Sequence, residues 1–168
     1  MHPDLRRALD DIEASTSALD ENQMCWHRPG KWSAAEILEH LTKAFTGTTY
    51  VMTRALDQGQ SKARPDTFSQ RFGAFVVVTL GYFPTGRAAP EPTRPSGAAP
   101  ADAGRAIREA LVELDQVCAR SADRFGERVK VSNHPILGAF TVRQWRRFHR
   151  IHTRHHMKQI ARLREQMP

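Results

Sequence analysis

Four segments of this sequence repeat apolar residues at alternating spacings of three and four, the period of an amphipathic α-helix. The four stripes are, in chain order, Leu5, Leu9, Ile12, Thr16 and Leu19; Ile37, Leu41, Ala44, Thr48 and Met52; Ile107, Leu111, Leu114, Cys118 and Phe125; and Val142, Trp145, Phe148, His152, His156, Gln159 and Leu163. Four such helices predict an all-α fold, an antiparallel four-helix bundle. Because 168 residues fit one core, we expect residues 1–168 to form a single bundle domain.

Helix boundaries are marked at several points. Ser33 and Glu36 have the spacing of a capping box at the start of the second helix, and Thr141 and Gln144 have it at the start of the fourth. In such a box each side chain satisfies the other residue's free backbone amide. We expect the third helix to begin near Asp102 and to stop at Gly126.

An irregular insertion separates the second and third helices. Residues 67–83 favour a short additional helix, although Val76–Val78 would suit a strand equally well. Five of the ten prolines fall between Pro84 and Pro100, which predicts a loop, and we expect this loop to border a substrate entrance. Residues 129–140 look extended, with a turn expected at 133–135.

Composition and charge exclude several classes of protein. The 25 basic and 18 acidic residues give a net charge of +7, but no helix-turn-helix or aromatic-interleaved basic motif accompanies it, so a solvated basic face is favoured over nucleic-acid binding. No apolar run approaches the roughly 20 residues of a membrane span, and the N-terminus lacks the apolar stretch of a signal peptide. Cys25 and Cys118 have no CxxC spacing, which argues against a disulfide framework or a cysteine zinc module. We therefore expect a cytoplasmic protein.

Histidines supply the strongest functional signal. His152 and His156 lie four residues apart in the fourth stripe, so both rings project into the bundle, and His40 lies on the core-facing side of the second helix. A single histidine in a protein core more often donates a hydrogen bond to a carbonyl than binds a metal ion. Three imidazoles buried together without a metal, however, each need a hydrogen-bond partner of their own, because a buried polar group without one costs free energy. Together the three predict a metal site.

Other histidines and one glutamine are expected to have lesser roles. His149 is an alternative ligand or a proton carrier, and Gln159 is placed to orient a ligand or a bound water. His155 is expected at the rim, because it points about 100° away from its neighbour. His27 and His134 fall in predicted loops.

Three pieces of the sequence carry a family resemblance. They are the stretch KWSAAEILEHL over residues 31–41, the stretch HPILG over 134–138, and Trp145 followed by the run HRIHTRHHMKQI. With them the chain resembles the DinB-like (YfiT-like) superfamily of metal-dependent four-helix-bundle proteins. The pattern W-S-x-x-E-x-x-x-H-L, combined with H-x-x-x-H and a following Gln, carries the specificity of the match. The rest of the chain agrees only in pattern.

The resemblance implies a four-helix bundle, commonly a homodimer, with a divalent ion held by His40, His152 and His156. Zinc or nickel is the ion that it favours. Some family members are thiol-dependent enzymes, including bacillithiol transferases and mycothiol-dependent maleylpyruvate isomerases, so a low-molecular-weight thiol is a candidate cofactor and a small molecule the expected substrate. Superfamily membership alone does not carry the chemistry with it.

Three functions are therefore open. Three neutral imidazoles leave an ion with an open coordination position, as in catalytic sites, which predicts a metal-dependent thiol S-transferase or a metal-dependent hydrolase. The other alternative is a non-catalytic metal- or ligand-binding bundle. No general base is evident, because Glu36 is committed to a cap and Glu39 is expected to face away from the site.

Overall fold

Four long helices form the body of the molecule, and they confirm the predicted four-helix bundle. The computed structural model describes residues 1–84, 86, 88–97 and 99–167. Its elements are α1 (Pro3–Thr16), α2 (Glu21–Cys25), α3 (Ala34–Asp57), α4 (Phe68–Ala74), α5 (Pro100–Phe125), β1 (Lys130–His134), β2 (Gly138–Thr141) and α6 (Val142–Arg164). Helices α1, α3, α5 and α6 are the four that the stripes predict. No helix of the described ranges has the length and apolar character needed to span a membrane.

Both predicted capping boxes are formed. The amide of Glu36 donates to Ser33 Oγ at 3.2 Å, and the amide of Ser33 donates to the Glu36 carboxylate at 2.8 Å. Thr141 and Gln144 make the equivalent pair at the start of α6. Helix α5 ends at Gly126, whose φ of 90° lies in the left-handed region that favours glycine.

The short helix α2 was not predicted. It begins with a capping box of its own, in which the Gln23 amide donates to Asp20 at 2.8 Å and the Asp20 amide donates to Gln23 at 3.1 Å. The D-x-x-Q spacing is a start signal of the same kind as those at α3 and α6. The segment is only five residues long, too short for an apolar stripe to identify it.

The core lies where α3 packs along α5 and α1 packs along α6. The largest fully buried side chains are Trp145, Phe45, Phe140, Leu5, Ile37, Leu38, Leu41, Met52, Ile107, Leu111, Leu114 and Ile160. Trp145 is the largest, and its indole N–H donates to Ser132 Oγ at 3.1 Å. This bond ties the first turns of α6 to strand β1.

The insertion between α3 and α5 is helical in its first part. Helix α4 continues into a turn of π-helix at Phe75–Thr79, so the valines lie in a helix rather than a strand. The Arg147 guanidinium of α6 donates to the carbonyls of Val78 and Thr79, at 2.6 and 3.2 Å, and holds the end of this turn. The described part of the following proline-rich segment includes a 3-10 turn at Glu91–Thr93.

Strands β1 and β2 form an antiparallel hairpin, as the extended pattern of 129–140 predicts. The turn, however, lies at residues 135–137 rather than at 133–135. The physical reason is a local hydrogen-bond pattern, because His134 Nδ1 accepts from the amides of Ile136 and Leu137, each at 3.1 Å. This arrangement keeps His134 within the strand and turns its ring onto Phe140, Trp145 and Phe148.

Candidate metal centre

The three histidines selected from the sequence come together between α3 and α6. His152 Nε2 lies 3.1 Å from His40 Nε2 and 3.0 Å from His156 Nε2. One ring nitrogen from each of the three lies within 4.8 Å of the others, and all three side chains are buried. The capping boxes of α3 and α6 set where each helix begins, and the core stripes set which face points inward.

Second hydrogen bonds orient two of the rings. His40 Nδ1 donates to the carbonyl of Thr93 at 2.8 Å, and His156 Nδ1 donates to Gln159 Oε1 at 2.8 Å. Because the proton is on Nδ1 in both rings, each Nε2 presents a lone pair to the centre of the cluster. Such outer partners are typical of metal-binding histidines, whose tautomer and orientation they fix.

The donor set fits a divalent ion of the zinc type. A proton on His152 Nε2 can serve only one of its two Nε2 neighbours, so at least one lone pair of the cluster lacks a donor unless a cation lies between the rings. Nitrogens bound tetrahedrally to one ion at about 2.0–2.1 Å lie about 3.3 Å apart, near the observed separations. Imidazole nitrogen is a ligand for zinc, nickel, copper and iron.

Burial keeps the three imidazoles neutral. It lowers the pKa of His40, lowers that of His152 well below its ordinary value, and lowers that of His156 to about 3. The mutual repulsion of the charged forms of these rings lowers the pKa values of His152 and His156 further. At neutral pH the lone pairs are therefore available to a cation rather than occupied by protons.

A buried carboxylate holds the segment that supplies Thr93. Glu39 accepts from the amide and hydroxyl of Ser96, at 2.9 and 2.6 Å, and from the Gly97 amide at 3.0 Å. Lys43, one turn along α3, pairs with Glu39 at 2.7 Å and donates to the carbonyl of Arg94 at 2.8 Å. Glu39 is not among the residues that line the cavity, in keeping with the expectation that it faces away from the site. Its burial and its hydrogen bonds were not predicted, because its partners lie 57 and 58 residues away and no local pattern reveals them. The i, i+4 spacing to Lys43 is the one signal available in the sequence.

We expect Glu39→Ala to weaken metal binding without removing a ligand. Loss of the carboxylate removes its hydrogen bonds to Ser96 and Gly97. The neighbouring Thr93 carbonyl then fixes the His40 ring less firmly, and outer partners of this kind are worth about 10- to 100-fold in affinity. The measurement is a zinc competition titration against a chromophoric chelator. Glu113→Ala, an exposed change on α5, is the matched control. Equal zinc affinities in the two variants would contradict a role for the Glu39 carboxylate in metal binding.

The remaining histidines lie outside the three-ring cluster. His149 is fully buried in the core, its Nε2 lies 2.9 Å from Thr48 Oγ1, and burial lowers its pKa to about 3, which makes it a poor proton carrier at neutral pH. His155 is half-buried, as the rim prediction implies, and lies 3.2 Å from the amide nitrogen of Gln159. The Gln159 side chain therefore contacts both His155 and His156. His27 is exposed.

A cavity of about 1010 Å³ opens onto the cluster. The Trp32 ring is tilted against His40 with ring centroids 5.1 Å apart, and the Phe83 ring stacks on His152 at the same separation. The proline-rich segment forms part of the wall, as the entrance prediction implies, and no Asp or Glu lines the cavity within the described ranges. The site is therefore an open, mostly apolar chamber that is lined in part by the three imidazoles.

Comparisons with known proteins agree with this geometry. Residues 4–160 match the model of the DinB superfamily. Among curated proteins the sequence finds no match. A solved structure, YfiT from Bacillus subtilis, described as a probable metal-dependent hydrolase with an unusual four-helix bundle topology, aligns with a TM-score of 0.61 at 14% identity, covering 98% of this chain and 83% of that one. That likeness shows the fold, and the family match, which spans most of the sequence, shows that this chain belongs to the DinB superfamily.

Proposed function

We propose that this protein is a divalent-metal-dependent enzyme that transfers a low-molecular-weight thiol to a small electrophilic substrate. His40, His152 and His156 are the proposed ligands, and zinc or nickel is the proposed ion. The observation that carries the proposal is the convergence of three neutral imidazoles at an open cavity, with the rings of His40 and His156 oriented by hydrogen bonds. A cytoplasmic location suits this chemistry, because thiols are kept reduced there.

An ion with three neutral ligands keeps its positive charge and an open position, where it lowers the pKa of a coordinating thiol or water. The residues of the chain contribute the rest. Hydrogen bonds to Thr93 and Gln159 fix the orientation of the His40 and His156 rings. The rings of Trp32 and Phe83 give the cluster apolar surroundings. Since no carboxylate lines the described part of the cavity, the thiol proton passes to solvent rather than to a protein base.

The size of the cavity favours transfer between two molecules. Its volume of about 1010 Å³ lies at the upper end of the roughly 300–1,000 Å³ of pockets that bind drug-sized ligands, which leaves room for a small thiol beside a small substrate. In the proposed reaction the thiol S–H bond breaks and a C–S bond forms. The bond from that carbon to its leaving group breaks, the leaving group takes the electron pair, and no oxidant or reductant is needed.

Hydrolysis is the second candidate. YfiT, which shares the fold, is described as a probable metal-dependent hydrolase, and water is small enough to take the place of the thiol in the same cavity. The two candidates use the same three ligands and differ in the nucleophile. A non-catalytic metal-binding bundle is the third possibility.

The test compares zinc- and nickel-loaded wild type with the His152→Ala variant. We would follow the loss of an aryl chloride in the presence and absence of cysteine, and the hydrolysis of 4-nitrophenyl acetate without thiol. Thiol-dependent turnover that falls at least about 100-fold in the variant supports transfer. Ester cleavage alone, lost in the same variant, supports hydrolysis. Metal that raises only the melting temperature, with neither activity, would contradict both.

We also propose a homodimer, as the family resemblance implies. Phe68, Phe72 and Phe75 recur at spacings of four and three along α4 and the π-helical turn, and their side chains are 83%, 62% and 50% exposed. An exposed apolar face of this kind is typical of an interaction surface. We expect a dimer in sedimentation velocity and a shift towards monomer in Phe68→Glu/Phe75→Glu. Val112→Glu, on an exposed part of α5, is the control. A wild-type monomer at micromolar concentration would contradict the proposal.

A further inference from the structure

Basic side chains line the cavity without matching acids. Arg28, Lys31, Lys43 and Arg162 are among its lining residues, and no Asp or Glu is, within the part of the chain that the structure describes. Lys43 is already paired with Glu39. The other three are exposed and have no carboxylate partner among the described residues. The cavity therefore has a positive rim that the fold itself does not neutralise.

Two separate segments contribute this rim. Arg28 and Lys31 lie just before α3, and Arg162 lies in the last turn of α6. The Arg28 guanidinium donates to Gln166 Oε1 at 3.2 Å, which links the first segment to the end of α6. Since α6 rises about 1.5 Å per residue, Arg162 lies about 9 Å along the helix from His156.

Trp32 connects the rim to the histidines. It follows Lys31 directly, and its ring lies 5.1 Å from His40 and 6.5 Å from His156, nearly parallel to the latter at 25°. A flat or apolar molecule lying on this ring would be next to the histidine cluster and next to the segment that carries Arg28 and Lys31.

We propose that Arg28, Lys31 and Arg162 bind an oxyanion, a carboxylate or a phosphate, on the substrate or the thiol that reacts at the histidine cluster. The inference rests on the proposed function, because it takes the ligand of the rim to be a reactant. Guanidinium groups pair with planar carboxylates and with phosphates through two parallel hydrogen bonds, and the lysine adds a mobile charge. The rim thus selects molecules that carry a carboxylate or a phosphate.

The experiment measures binding rather than turnover, on chelator-stripped protein at pH 8. The probes are 4-phenylbutanoate, its neutral amide 4-phenylbutanamide, and 3-phenylpropyl phosphate, titrated by calorimetry at low and high salt. The variants are Arg28→Gln/Arg162→Gln and the control Arg120→Gln, an exposed arginine of α5 away from the cavity. Because no metal is present, failure of the proposed metal chemistry leaves this result unaffected.

We expect an anionic probe to bind at least about tenfold more tightly than the amide, and this preference to disappear in the double variant but not in Arg120→Gln. Tighter binding of the phosphate identifies a phosphorylated ligand, and tighter binding of the butanoate a carboxylate. Equal affinity for acid and amide would overturn the proposal. So would an equal loss in Arg120→Gln, which would indicate general attraction to a basic protein, and so would the absence of binding at millimolar concentration.

Discussion

Zinc or nickel is expected to raise the melting temperature of the wild-type protein and to leave that of His152→Ala unchanged. A ligand present at a thousand times its Kd stabilises the folded state by about 4 kcal/mol. For a chain of this length each kcal/mol shifts the melting temperature by about 2–4 °C, so the expected shift is about 8–16 °C. His152 is the decisive residue, because its Nε2 lies 3.1 and 3.0 Å from the Nε2 atoms of His40 and His156.

Each protein is compared with its own metal-free form, since removal of a buried ring changes the baseline stability by itself. His27→Ala, which removes an exposed histidine, is expected to keep the full shift. A metal-induced shift of equal size in His152→Ala would show that the ion binds elsewhere.

Trp145→Ala is expected to destabilise the fold by about 3–5 kcal/mol, the usual cost of removing a large buried aromatic side chain. The indole is almost fully buried against Phe140, with ring centroids 5.0 Å apart, and it is the hydrogen-bond donor to Ser132. Its removal leaves a hole at the junction of α6 with the hairpin and a buried hydroxyl without its partner. Urea denaturation of the metal-free protein measures the free energy of unfolding directly.

Trp26→Ala is the matched control, because Trp26 is only half-buried. We expect it to cost clearly less than Trp145→Ala. A Trp145→Ala protein that loses less than about 1 kcal/mol would show that α6 is not anchored through this ring.

The parts of the fold that sequence predicts are those fixed by local rules. Apolar spacing identifies α1, α3, α5 and α6, since one face of each helix is buried along most of its length. The same spacing turns His152 and His156 inward and places His40 opposite them. The tight cluster of the three rings is therefore a consequence of two helix registers, each set by a capping box.

The parts that sequence does not predict depend on contacts between distant segments. Glu39 was expected only to face away from the site, and its burial and its hydrogen bonds to residues 96 and 97 were not predicted. The turn of the hairpin lies two residues later than predicted, because His134 Nδ1 accepts hydrogen bonds from two amides. The orientation of that ring depends on its packing against α6. The cavity itself arises from the insertion folding over α3 and α6, which no spacing within one segment describes.

The most direct test of the three-histidine metal site is elemental analysis by inductively coupled plasma mass spectrometry, on protein purified without an affinity tag. The wild type would be measured beside His40→Ala, His152→Ala and His156→Ala, before and after incubation with zinc or nickel. We predict about one divalent ion per chain in the wild type and loss of that ion in all three variants. A wild-type protein that holds no ion after incubation, or three variants that retain it, would contradict the assignment.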